Sequence, residues 1–237
     1  MSTKKTFKCN LNKDNYLQNN KINLENKTTV SSMLIALDYA GYKFPIIKDD
    51  EKIEDVFLNF CFKNKEVLDF YKNLSPTMFD AWYEEYSSSK ETDLKEIEFK
   101  NSYPPTEVHS VLSYATNKFL GIENATTFNS SATLQEIIKE LTEYKPVIVS
   151  AEFGKNNYTL CLTGVVLETN DNGESWTPVK FYADDIFGKY DIPNEKYLEG
   201  LSGIDSEYLA DDLIPTLKSK SSQFKYAHFF NLSTPVV

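Results

Sequence analysis

The apolar residues of this chain change their spacing once, near residue 146, and that change limits the folds open to it. Before it, apolar side chains recur at helical intervals. Ile53, Val56, Phe57, Phe60 and Cys61 form one such series, Val67, Leu68, Phe70, Tyr71 and Leu74 another, and Leu134, Ile137, Ile138 and Leu141 a third. After it, Pro146–Glu152, Tyr158–Glu168, Val179–Ala183 and Gln223–Leu232 are short runs rich in β-branched and aromatic residues, the composition of strands. Asn170-Asp171-Asn172-Gly173 reads as the turn between two of them. A helical half followed by a sheet half is the α+β pattern.

One helix stands apart from the rest. Thr28 to Tyr42 carries apolar side chains on most of its sides, begins at a Thr suited to capping, and stops at Gly41. All-round apolarity predicts a helix buried in the middle of the fold. Further helices are expected over much of 48–100, from Ser75-Pro76 through Trp82, over Glu107–Phe119 and over Thr133–Tyr144. The polar, Asn-rich residues 1–27 read as an extended arm, Ser87–Asp93 as a loop, and 189–222 as irregular chain with a short helix.

With 237 residues, 41% of them hydrophobic and 14% aromatic, the chain has material for one compact domain with insertions or two small ones. Net charge is -10 and every basic residue is Lys. Planar bidentate clamps on phosphate use Arg, so an acidic, Arg-free chain is a poor nucleic-acid binder. The three cysteines, Cys9, Cys61 and Cys161, are odd in number and widely spaced, which suggests reduced thiols rather than disulfides or a metal cluster. His109 and His228 share no ligand spacing, and Asp171 to Glu174 lacks the full calcium-loop pattern. No cofactor and no metal are expected. The first residues are polar without an apolar signal core, and no apolar run is long enough to span a bilayer, so the default expectation is a cytoplasmic protein.

Four segments together resemble the papain-fold, bacteriocin-processing-type cysteine peptidases (family thirty-nine). Gln18-Asn19-Asn20-Lys21-Ile22-Asn23, then Asn26-Lys27-Thr28-Thr29-Val30-Ser31-Ser32 running into Met33-Leu34-Ile35-Ala36-Leu37, is similar to the family's nucleophile segment. Tyr144-Lys145-Pro146-Val147-Ile148-Val149, then Asn157-Tyr158 through Gly164, is similar to its histidine segment. Asp184-Asp185-Ile186-Phe187-Gly188 resembles its N-D-P-Y-G motif, and Lys225-Tyr226-Ala227-His228-Phe229-Phe230 its closing strand. The resemblance implies a single papain-like domain over 1–237 with a helical insertion at about 48–100, its central N-terminal helix packed on an antiparallel sheet. It also places Gln18 on the oxyanion donor, Thr28 on the nucleophilic Cys, Tyr158 on the His and Asp185 on the orienting acid.

The replacements alter the chemistry. A cysteine hydrolase needs a thiolate at a helix N-terminus, a His to move protons, an acid or amide to orient that His, and donors for the oxyanion. A Thr hydroxyl is a far weaker nucleophile, and a Tyr with pKa about 10 is a poor base near neutral pH. The resemblance therefore implies a pseudo-peptidase that binds a peptide, a peptidoglycan stem or a protein partner in a degenerate cleft. Two alternatives stay open: an active peptidase or cell-wall hydrolase using Thr28, and a structural or interaction module of a phage or secretion-type assembly.

Overall fold

A computed structural model describes residues 2–9, 28–45, 52–91, 93–94, 96–171, 173–201, 203–218 and 224–233. Among these residues it is a mixed α+β structure with seven helices and, among nine strands, an antiparallel seven-stranded sheet. The strands are β1 Thr3–Lys8, β2 Thr126–Ala132, β3 Val147–Phe153, β4 Asn156–Thr169, β5 Thr177–Asp184, β6 Tyr190–Asp191, β7 Lys196–Tyr197, β8 Ser206–Leu209 and β9 Lys225–Phe230. The helices are α1 Thr28–Tyr39, α2 Ile53–Lys63, α3 Lys65–Leu74, α4 Pro76–Ser88, α5 His109–Leu120, α6 Leu134–Thr142 and α7 Ala210–Thr216. No helix among the described residues is long and apolar enough to cross a membrane.

The sheet runs β2-β9-β3-β4-β5-β8, and β1 joins it on β4. β4 is long enough to hold two partners on one edge. Its first half pairs with β3, from Phe153 opposite Asn156 to Val147 opposite Leu162, and its second half pairs with β1, from Lys8 opposite Gly164 to Thr3 opposite Thr169. The Cys9 amide continues the β1 ladder to the Thr163 carbonyl at 2.7 Å. At Gly164 a Cβ would lie 2.5 Å from the Phe7 carbonyl oxygen, so the residue must lack a side chain for β1 to dock. Residues 3–9 of the expected arm thus belong to the sheet.

The two faces of the sheet carry different helices. Val147, Val149 and Ala151 of β3, Leu160 and Leu162 of β4, and Phe181 and Ala183 of β5 form one buried cluster with Ile137 and Leu141 of α6 and Leu213 of α7. α6 begins with a full capping box: Thr133 accepts from the Glu136 amide, and the Glu136 carboxylate accepts from the Thr133 amide. The opposite face receives α1, which packs on β4 and β3. Met33, Leu34, Ile35, Ala36 and Leu37 are at most 1% exposed, as an all-round apolar helix requires. α1 ends in a Schellman motif, with Gly41 at φ +84° and the Tyr42 amide donating to the Leu37 carbonyl.

The chain divides into two compact units, one formed by 1–42 and 128–237 and holding most of the sheet, the other by 43–127. The second unit is helical. Asn64 caps α3 through the Glu66 and Val67 amides, Pro76 starts α4, and Gly121 closes α5 at φ 65°. Its core is aromatic: Phe62 meets Trp82 edge-on at 5.5 Å, Trp82 stacks on Tyr86 at 5.3 Å, and Phe57 packs on Phe119 at 5.0 Å.

Candidate functional site

Thr28 begins α1, and the first turn of that helix lies against β4. The contact is made by hydroxyls. Thr29 Oγ1 and Thr159 Oγ1 are 3.4 Å apart, and the Ser32 hydroxyl donates to the Thr159 carbonyl at 3.0 Å. Side chains alternate along a strand, so Thr159 and Cys161 face α1 while Tyr158, Leu160 and Leu162 face the α6–α7 layer. Tyr158 accordingly packs on Phe153, Phe187, Tyr190 and Tyr197.

Asp185 follows Tyr158 onto that face. Its Oδ2 accepts from the Tyr208 hydroxyl at 3.2 Å and its Oδ1 from the Phe187 amide at 3.1 Å. The Asp185 amide donates to Gly203 O, and a Cβ on Gly203 would overlap the Asp185 carbonyl, which locks the two backbones together. Burial pushes the Asp185 carboxyl up to about 6. The structure therefore brings Tyr158 and Asp185 to one face of the sheet and sets the helix that Thr28 begins on the other. Gln18 lies outside the described residues.

The acid on the α1 face is Asp184, which sequence reasoning did not single out. It is 1% exposed and sits opposite Cys161 in the β4–β5 ladder. Its Oδ2 accepts from the Tyr39 hydroxyl at 2.9 Å and its Oδ1 from the Asp205 amide at 2.7 Å. Lys8 on β1 pairs with Asp205 Oδ2 at 2.6 Å. Burial pushes the Asp184 carboxyl up to about 6, and the nearby Asp205 charge adds to the rise.

No thiol is poised for attack. Cys9, Cys61 and Cys161 are all free and buried. Burial raises the Cys9 thiol to about 12, with the Asp184 charge adding to the rise, and also raises the Cys61 and Cys161 thiols well above the usual range. His228 is 1% exposed on β9, with β3 between it and β4. His109 is on α5, where burial lowers its pKa. Among the described residues, no group of three His, Cys, Asp or Glu side chains could hold a metal ion. The Asp171 carboxylate is occupied within its turn by the Ser175 hydroxyl, the Thr169 hydroxyl and the Ser175 amide, which hold it well below the usual carboxylate range.

The aromatic group around Tyr158 also went unpredicted. Tyr190 of β6 pairs with Tyr197 of β7, and this short ribbon brings both rings to Tyr158 and the Tyr197 ring to Phe187. The available signal was the recurrence of aromatics at 187, 190, 197 and 208 in a stretch with no period of its own.

No protein-family model matches the chain, and no curated protein or solved structure matches it either.

Proposed function

We propose that this chain is a catalytically silent, peptidase-like protein that holds a peptide or a protein partner where the first turn of α1 meets β4. The observation that carries the reading is the Thr29–Thr159 contact. A cysteine hydrolase of papain type needs a thiolate and an imidazole where a buried helix begins against a strand. Here two hydroxyls occupy that contact, and a hydroxyl without a positioned base is a weak nucleophile. The papain-like reading of the fold draws its support from the order of elements, an N-terminal apolar helix set on an antiparallel sheet whose strands other than β1 come from the C-terminal half. A peptidoglycan stem is a peptide of the class such a cleft takes.

The test is hydrolysis of a broad panel of peptides and peptidoglycan fragments by the native chain, with Thr28→Ala and Thr29→Ala alongside. The expected result is no turnover by any of the three. Turnover that either substitution abolishes overturns the reading and makes that hydroxyl a working nucleophile.

A further inference from the structure

On the α6–α7 face of the sheet, three partly exposed rings stand in a near-equilateral triangle. The Tyr158 and Phe187 centroids are 5.8 Å apart at an interplanar angle of 79°, Tyr158 and Tyr197 are 5.9 Å apart at 74°, and Phe187 and Tyr197 are 5.9 Å apart at 62°. Rings inclined so steeply form walls rather than a stack. A floor lies under them, because Tyr190 packs on both Tyr158 and Tyr197 and stacks on Phe153 at 4.6 Å. Phe187, 36% exposed, stands at the mouth on the turn closed by Gly188.

Behind the rings is a charge with no cation. The Asp185 carboxylate is 4% exposed and accepts from the Tyr208 hydroxyl and the Phe187 amide, but among the described residues no lysine pairs with it. A buried carboxylate is ordinarily matched by a positive group. The Tyr197 hydroxyl is buried beside it, close to the Tyr158 hydroxyl but not in hydrogen-bond geometry with it. A cation resting over the centre of the triangle falls within the ~6 Å at which aromatic faces attract positive charge. Chain charge of -10 draws basic partners to the surface as a whole.

We infer that Tyr158, Phe187 and Tyr197, backed by Asp185, form a binding site for the ammonium group of a lysine side chain presented by a peptide or protein partner. The inference stands on ring geometry and an unmatched carboxylate, and it does not depend on a peptidase ancestry. The site is on the sheet face opposite α1 and so differs from the contact considered above.

The experiment titrates the full chain with acetyl-Gly-Lys-Gly-amide, its norleucine counterpart and choline, following the aromatic proton resonances. The lysine peptide is expected to bind saturably, and the norleucine peptide, which keeps the stem and lacks the charge, about tenfold or more weakly. Phe187→Ala removes one exposed wall and is expected to weaken the lysine peptide by about tenfold. Affinity is expected to fall as pH drops below about 6, where Asp185 takes up a proton. The groups facing that carboxylate are the hydroxyls of Tyr208 and Tyr197, neither of which ionises in that range. Equal binding of the norleucine peptide, unchanged binding in Phe187→Ala, or binding of choline without the lysine peptide would each overturn the assignment.

Discussion

Asp184 shows how one residue can tie stability to pH. The fold surrounds it with Tyr39, the Asp205 amide and Cys161, and burial raises its pKa from an ordinary 3.8 to about 6. Well below pH 4 the carboxyl is protonated in both the folded and the unfolded chain. Between about 4 and 6 the unfolded chain releases the proton first, so Asp184 takes stability away as pH rises, on the order of 3 kcal/mol by pH 7. Asp185 is also raised, so the contribution of Asp184 is read by difference. Denaturant titrations of the native chain and Asp184→Asn at pH 4 and pH 7 are expected to show the variant gaining stability relative to the native chain as pH rises. A constant difference would mean that Asp184 keeps an ordinary proton affinity in the fold. The thiols give a second residue-level prediction. With Cys9, Cys61 and Cys161 buried, a thiol-specific disulfide reagent is expected to leave the native chain unmodified over minutes and to titrate all three in denaturant. Rapid reaction of any one would place that thiol at the surface.

Among the elements, the long ones that bury a face were legible, while four-residue β8, which alternates buried and exposed side chains over Ser206–Leu209, was read as irregular chain. Pro146–Glu152, Tyr158–Glu168, Val179–Ala183 and Gln223–Leu232 become β3, β4, β5 and β9 to within a few residues, because each line of the core stamps its apolar pattern on the sequence. β1 and β2 were not recognised as strands. Thr3 to Thr6 of β1 are exposed and β2 is mostly partly exposed, so neither carries the alternation that marks a half-buried strand. The site was blurred by the same period of two. Reading Tyr158 or Thr159 as the residue that faces α1 differs by one position, and a one-residue shift exchanges the two faces of a strand. β1 owes its place to Gly164. Gly164→Ala sets a Cβ against the Phe7 carbonyl and is expected to cost about 2 kcal/mol or more while releasing β1. Release would be read as lost amide protection over Thr3–Lys8 and as a changed Trp176 signal, since Lys5 lies over that ring at 4.5 Å. Protection as in the native chain would show that the ladder yields without cost. α6 depends on its cap, and Thr133→Ala is expected to cost about 1 kcal/mol, while Thr133→Ser retains most of it.

At the scale of the whole molecule, the continuous segment 43–127 is one of two compact units, and the other is assembled from both ends of the chain. The segment has buried side chains on each of its helices. Phe57, Cys61, Phe62, Val67, Tyr71 and Trp82 are buried on α2, α3 and α4, and Val111, Leu112 and Ala115 are the buried apolar residues of α5, which packs on α2 and α3. Local polar contacts tie the connections down: the Tyr71 hydroxyl donates to the Tyr103 carbonyl at 2.7 Å, and the Ser113 hydroxyl and the Asn117 side chain both bind Thr126. A unit with its own core and its own caps is expected to fold alone. Expressed by itself, 43–127 should retain helical circular dichroism and a single cooperative thermal transition. Trp82, 0% exposed, should emit as a buried indole until that transition and as a hydrated one after it. A fragment whose Trp82 is hydrated from the outset would show that the aromatic core needs the rest of the chain. The rest of the chain would then be part of what folds this unit.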